Sequence, residues 1–438
     1  MKEFKTENSK NRLIALVPVG IAILFAVFAS WVFGFDKISF GDANDYIAAA
    51  KSFLNGAPYP RQSEFHPMFR PPLYPLFIAG VWNFFPDSTI AIKIAQAFLH
   101  AATCLAVYRI GWEILQKPIP ALLGALVCAI NPLLAAHTVD FYTEPLHTFL
   151  MVLGMLFTVR VLKNSKFLYA NAAAAGIAFG LATLCRPSAL GVAICLLPFI
   201  CLLKFKDKER IRYFAACAIL FAGIFAAVLP WTFYNYRTTG EFILVNDGFS
   251  YNLWLGSLPE TVVLYEGGFK SAEENQQFAD RIWGHVQREK LKELVQTDNY
   301  YSLSYNEREK VWRREAMENL TADYGISARI ALGKIWTFWT PFLNPYAYGN
   351  KIVVLVAAFV IGIYLFGIYG ARVLWGNETG KQFVVLLAVS CVVATAIHVL
   401  IMGFVRYRVP YVDPYFSLLA GVALWQIGIR IFGTKLRK

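Results

Sequence analysis

Asp42 and Asp45 stand three residues apart in the string GDANDY, residues 41–46. In a helical first turn two such carboxylates share a face. One can then act as a general base while the other orients it or binds substrate. Capping is the competing reading, because an acid ahead of the helical run 46–54 stabilises its free N–H groups and dipole. It competes more strongly for Asp45 than for Asp42. The pair also has the look of a metal-binding pair of acids, but no His/Asp spacing supports a closed site. Glu144 and His147 form a second i,i+3 pair, with Pro145 marking a helix N-terminus. The bland readings are capping for Glu144 and a core or interfacial imidazole for His147.

Cations recur near these acids. Arg70 precedes Pro71 and Pro72, two rings that stiffen the backbone behind it. Arg186, Arg237, Arg406 and Arg408 are further candidates, and a guanidinium binds phosphate bidentately. Snorkelling at a membrane edge is the alternative for each. His66, His137, Asp140, Tyr142, Tyr234, Tyr236 and Tyr407 lie in the same segments.

The elements that must hold these groups are membrane helices. Of 438 residues 57% are hydrophobic and only 16% charged, far fewer charges than a soluble domain carries. Residues 13–35 have no charge at all, and as a helix they reach about 35 Å, enough to cross a hydrocarbon core. Their length and the lack of a small-residue cleavage site favour a retained anchor over a signal peptide. The composition excludes a soluble enzyme, a disordered tail protein and a disulfide-stapled domain. Unbroken apolar runs also argue against a β-barrel. The seven cysteines lie in or beside apolar runs without CxxC spacing, and read as small core residues.

The net charge is +12. Six short stretches (1–12, 109–117, 160–166, 204–212, 372–381 and 430–438) hold a basic surplus larger than that of the whole chain. Basic charge confined to termini and short loops is the positive-inside signature, and it argues against nucleic acid as a partner. The resulting topology has about ten spanning helices (10–12): 13–35, 88–115, 118–136, 145–163, 167–185, 188–203, 212–233, 351–371, 381–403 and 409–432. Residues 73–85 are too short to span and are placed at the outer interface. Ser304 and Glu307 fit a capping box opening a helix to about residue 322. Residues 329–339 read as an amphipathic interfacial helix. The expected division is a transmembrane catalytic module, 1–233, with a first extracytoplasmic loop at 36–72. A large extracytoplasmic loop follows at 234–328, then the interfacial helix and last spans, 329–438. Every candidate above falls at the extracytoplasmic ends. In the large loop Tyr251, Trp254, Tyr265, Tyr300, Tyr301 and Tyr305 offer aromatic faces on which an acceptor can pack.

An ordered series of motifs carries a resemblance: GDANDYIAAAKSFLNGAPY, FRPPLYPLFIAG, TEPLHTFL, CRPSAL, PWTFYNYRTTGEF, GFSYNLWLGSLP and FVRYRVPYVDPYFSLLAG. The chain resembles the polytopic C-type (GT-C) glycosyltransferases that use polyprenyl-phosphate sugars, a group including protein O-mannosyltransferases and lipid A aminoarabinose transferases. The resemblance implies an all-α polytopic fold with short interfacial helices in its outer loops. It also implies inverting transfer of a sugar from a polyprenyl-phosphate carrier to a hydroxyl on a lipid, glycan or protein. Asp42 matches the family's first-loop acid and takes the role of base. Asp45, His66, Arg70, Glu144, His147, Arg186, Tyr236, Arg237, Arg406 and Tyr407 are the expected substrate-binding residues. No cofactor is expected, a divalent metal being disfavoured but still open. The expected location is the plasma (inner) membrane of a bacterium or archaeon, among membrane lipids, with the site facing the periplasm or exterior. A lipid or glycan flippase, or a non-catalytic assembly subunit, is the alternative reading.

Overall fold

The computed structural model describes residues 14–38, 41–60, 70–163, 166–266, 271–343 and 349–433. Every regular element among them is helical. In chain order the first ten are α1 (Leu16–Phe33), α2 (Ala43–Leu54), α3 (Leu73–Trp82), α4 (Thr89–Leu115), α5 (Pro118–Ala129), α6 (Pro132–Ala136), α7 (Glu144–Leu162), α8 (Leu168–Cys185), α9 (Ser188–Leu203) and α10 (Arg210–Thr239). The rest are α11 (Phe249–Ser257), α12 (Val262–Glu266), α13 (Ala272–Ala279), α14 (Gln287–Asp298), α15 (Tyr305–Ala322), α16 (Tyr324–Trp339), α17 (Asn350–Leu374), α18 (Glu378–Leu400) and α19 (Val405–Phe432).

Eight of these, α1, α4, α7, α8, α10, α17, α18 and α19, are long and apolar enough to cross a membrane. The other two expected spans differ from the expectation in instructive ways. The run 118–136 breaks after Ala129 because Asn131 turns its Oδ1 onto the N–H groups of Leu133 and Leu134, at 3.0 and 3.4 Å. That cap opens the short α6 at Pro132. The run 188–203 forms α9, whose 16 residues reach about 24 Å. α10 runs on to Thr239, past the expected end at 233, and stops at Gly240, whose φ of 75° suits glycine. Tyr234, Tyr236 and Arg237 therefore ride on its last turns and do not open a loop. The segment expected at the outer interface forms α3 and packs one face into the fold, with Tyr74, Pro75, Ile78, Ala79 and Trp82 buried. The Tyr74 hydroxyl donates to Gln96 at 2.8 Å, and Gln96 donates to the carbonyl of Asp140 at 2.7 Å. Those bonds tie α3 to α4 and to the turn before α7.

Small residues set the closest helix contacts. A Cβ at Gly176 or Gly180 of α8 would collide with the carbonyl oxygens of Leu220 or Ile224 on α10. Likewise Gly124 of α5 and Gly421 of α19 meet backbone to backbone. Between apolar helices in lipid, such close approach replaces the hydrophobic driving force with van der Waals contact. The basic loops collect at one end of the bundle. Glu113 of α4 accepts from Arg160 at 3.0 Å and from Lys163 at 2.9 Å, while Lys117 lies over the Trp425 ring of α19.

The opposite end is roofed by α11–α15. α15 opens with the expected Ser304/Glu307 capping box, and Glu241 accepts from the N–H groups of Tyr305 and Asn306 at 2.6 and 3.0 Å. A separate core of Tyr251, Trp254, Tyr300 and Trp312 holds the roof together, with Trp254 and Trp312 centroids 4.7 Å apart. It reaches Met402, Phe404 and Tyr407 below, so roof and bundle are packed as neighbours. The tight α8–α10 pair gives a direct test: Gly176→Val should cost about 1–3 kcal/mol of stability, read as a lower unfolding midpoint in detergent, whereas Gly20→Val, which meets nothing within 4 Å, should leave it unchanged.

Candidate active site

A cavity of about 740 Å³ lies between the bundle and its roof. Its floor is built by five segments that meet from distant parts of the sequence. α2 brings Asp42 and Asp45, the turn before α3 brings Arg70, and the start of α7 brings Glu144. The α8–α9 turn brings Arg186, and the start of α19 brings Arg406 and Tyr407. Asn246, Phe249, Tyr251, Asn252 and Gln287 line it from the roof.

The floor is a chain of alternating charge. Arg70 donates from Nη2 to Asp42 Oδ1 at 2.6 Å and from Nε to Asp45 Oδ2 at 3.0 Å. Arg406 stands 4.0 Å from Asp42 Oδ2 and 4.0 Å from Glu144 Oε1. Arg186 donates to the same Glu144 oxygen at 2.5 Å. Three guanidiniums thus alternate with three carboxylates. Aromatic rings back the cations: Arg70 lies over Tyr46, 5.5 Å from its centroid, and Arg186 and Arg406 both lie over Tyr407, at 4.7 and 4.8 Å. Burial works against the Arg70 charge, but the carboxylates of Asp42 and Asp45 beside it hold its pKa above the ordinary value. Burial pushes the Tyr46 phenol up, so it stays neutral beneath the guanidinium.

Asp42 sits at the N-cap of α2 yet makes no side-chain bond to the helix backbone. Its carboxylate turns to Arg70 instead, which removes the capping explanation for this residue. Glu144, 2% exposed, is held by the two arginines and also accepts from the hydroxyl of Thr143, the residue that begins its helix, at 3.3 Å. Desolvating a carboxylate this far requires such partners.

The candidates are not all brought together. Asp42, Asp45, Arg70, Glu144, Arg186, Arg406 and Tyr407 line the cavity. His147 is fully buried behind it, with Nδ1 on the Ala182 carbonyl and Nε2 on the Tyr411 hydroxyl. Tyr236 and Arg237 are a correction: the helical extension of α10 turns both to the outside, and Arg237 covers Phe233 at 4.9 Å. Arg408 faces away from the cavity, in a fully buried pair with Asp413 at 3.0 Å. His66 falls in 61–69, outside the described residues. Of the six loop aromatics named from the sequence only Tyr251 lines the cavity, beside Phe249; Trp254 and Tyr300 are spent on the roof's core and Tyr265 is buried against Phe404.

Several lining residues carry no sequence signal of their own. Ser188 and His398 look like ordinary helix residues, and His398 lies stacked between Phe338 and Tyr407. Asn252 and Gln287 come from roof segments that only tertiary packing brings over the acids. Asp42 and Asp45 are both taken up by one guanidinium, and among the described residues no three His, Cys, Asp or Glu groups are placed to hold a metal ion.

Residues 69–233 match the family described as dolichyl-phosphate-mannose-protein mannosyltransferase. That stretch takes in Arg70, Glu144 and Arg186, while Asp42, Asp45 and Arg406 lie outside it. No curated protein matches the chain. Solved structures do. The archaeal oligosaccharyltransferase AglB from Archaeoglobus fulgidus, in complex with an inhibitory peptide and a dolichol-phosphate, is 14% identical with a TM-score of 0.56, over 95% of this chain and 50% of that one. The apo form of the Archaeoglobus fulgidus oligosaccharyltransferase is also 14% identical, with a TM-score of 0.58 over 97% of this chain and 51% of that one. ArnT from Cupriavidus metallidurans bound to undecaprenyl phosphate is 14% identical with a TM-score of 0.43, over 94% and 79%. One further Archaeoglobus fulgidus structure is a complex with Zn and sulfate. The chain spans about half the length of the oligosaccharyltransferase chains it matches. The shared property is the fold: this chain is an all-helical, polytopic protein with the GT-C fold of the archaeal oligosaccharyltransferase, and its residues 69–233 match the dolichyl-phosphate-mannose-protein mannosyltransferases.

Proposed function

We propose that this protein is a membrane glycosyltransferase that moves a sugar from a polyprenyl-phosphate carrier to an acceptor hydroxyl at the extracytoplasmic face, with inversion. One observation carries the reading. Three guanidiniums and three carboxylates converge on a single cavity, at the end of the bundle opposite the basic loops. The positive-inside rule supports an extracytoplasmic position for that end. The match of residues 69–233 and the fold shared with a protein solved with a dolichol-phosphate support the donor class.

The chemistry follows from the charge map. The acceptor oxygen attacks the anomeric carbon while the bond from that carbon to the phosphate oxygen breaks. The bonding pair stays on the polyprenyl phosphate, and the hydroxyl proton passes to Asp42. A phosphodiester donor carries one negative charge and the departing monoester carries more. Arg70, Arg186 and Arg406 are therefore held more tightly by the leaving group than by the donor, which is how they lower the barrier.

Arg70, at 2.6 Å from Asp42 Oδ1, competes with an acceptor hydroxyl for the carboxylate. A phosphate that takes up Arg70 releases the carboxylate, so the donor arms the base and an acceptor bound alone does not. Asp45 keeps its bond to Arg70 and guides that exchange.

The test is turnover of a panel of undecaprenyl-phosphate sugars by the purified protein, read as loss of donor and appearance of undecaprenyl phosphate. Asp42→Asn should keep donor binding and slow turnover by about 10²-fold or more. Arg70→Ala should weaken use of the donor, and Arg70→Lys should restore only part of it, because lysine keeps the charge without the planar fork. Wild-type rates in Asp42→Asn would remove the base assigned here. A wild-type protein that moves the lipids across the bilayer without consuming them would favour the flippase reading.

A further inference from the structure

His147 and Tyr411 do not line the cavity, yet they are joined to it through Ser188. The His147 ring is fully buried, with Nδ1 3.2 Å from the Ala182 carbonyl and Nε2 3.0 Å from the Tyr411 hydroxyl. Tyr411 is 1% exposed, and its hydroxyl lies 2.8 Å from Ser188 Oγ. Ser188 is the first residue of α9, two positions after Arg186, and it lines the cavity.

This chain has a direction. A carbonyl only accepts, so Nδ1 carries the imidazole proton. Both ring nitrogens meet neutral partners, a carbonyl and a phenol, and a second proton would bury a charge that neither offsets. Nε2 is therefore the acceptor, and Tyr411 spends its one proton on it. The Tyr411 oxygen then accepts, and Ser188 spends its one proton there. What Ser188 turns to the cavity is lone pairs without a proton to give.

The geometry points to Ser188 as a specificity residue for the sugar: its oriented Oγ accepts a hydrogen from a hydroxyl or amino group of the sugar and offers nothing to a phosphate oxygen. The inference rests on the glycosyltransferase reading above and deepens it. Arg186 and Ser188, two residues apart, divide the donor between them, the guanidinium taking negative charge and the serine taking a donated hydrogen. His147 and Tyr411 are positioning residues that fix the direction of the last bond. A ligand lacking the hydrogen leaves Ser188 unmatched, the kind of loss that discriminates strongly in a desolvated site.

Binding to the purified protein in nanodiscs separates the possibilities, with undecaprenyl phosphate, undecaprenyl-phosphate mannose and undecaprenyl-phosphate glucose as probes. Ser188→Ala should weaken the tighter of the two sugar lipids by about tenfold and leave undecaprenyl phosphate unchanged. Ser188→Thr, which keeps the hydroxyl, should retain most of the sugar-lipid affinity. Tyr411→Phe should lower sugar-lipid affinity as Ser188→Ala does, with little further loss in the double variant, because both break one chain. Equal weakening of all three lipids by Ser188→Ala, or none, would overturn the assignment while leaving the donor class intact. A wild-type protein that binds none of the three would overturn the donor class and this inference with it.

Discussion

The pairing of carboxylates with guanidiniums at the rim of an apolar bundle is the constraint on which the rest depends. Ionised groups packed against helices of this hydropathy lose most of their hydration, and each must recover it from a partner. Arg70 does so for Asp42 and Asp45, and Arg186 and Arg406 do so for Glu144. The partners lie far apart in sequence, so the pairs can form only when α2, α7, α8 and α19 end at the same level. The same pairs that hold the helix ends together also keep a neutral, preorganised floor, ready to exchange one anion for another.

The bundle below and the roof above serve that floor differently. Below, α8 packs on α10 and α5 on α19 through glycines that admit no side chain, fixing the depth at which Arg186 and Arg406 emerge. The buried Arg408–Asp413 pair reaches the carbonyl of Thr340 at 2.9 Å and so fastens α16 to the first turns of α19. Above, the aromatic core of the roof leaves amides and a phenol facing down. Strong charge on one wall and neutral hydrogen-bonding groups on the other suit a ligand with an anionic end and a hydroxylated one.

The acids and most of the cations were legible in the sequence because charge is rare in it. Once the basic loops had set the topology, Asp42, Arg70, Glu144, Arg186 and Arg406 had to fall at one end. What the sequence could not convey was direction around each helix and the exact reach of its ends. Tyr236 and Arg237 looked like loop residues because the apolar run stops before them, but α10 continues on backbone hydrogen bonds until Gly240. The break at Asn131 was hidden inside a uniformly apolar run, where a single cap decides the matter. The aromatics of the large loop suggested packing faces for an acceptor, yet three of the six, Tyr251, Trp254 and Tyr300, build the roof's own core, a choice made by tertiary packing alone. Ser188 was invisible for a related reason: its chemistry comes from Tyr411 and His147, on two other helices.

The account stands or falls on where the carrier phosphate binds and what it does to Asp42. The most direct measurement is a structure of the protein with undecaprenyl phosphate bound in a lipid nanodisc. The account predicts the phosphate in the roofed cavity, in contact with Arg70 and at least one of Arg186 and Arg406, with the Asp42–Arg70 contact opened beyond hydrogen-bonding distance. A phosphate seated at the opposite end, against Arg160 and Lys163, or one in the cavity that leaves Asp42 still clasped by Arg70, would contradict it.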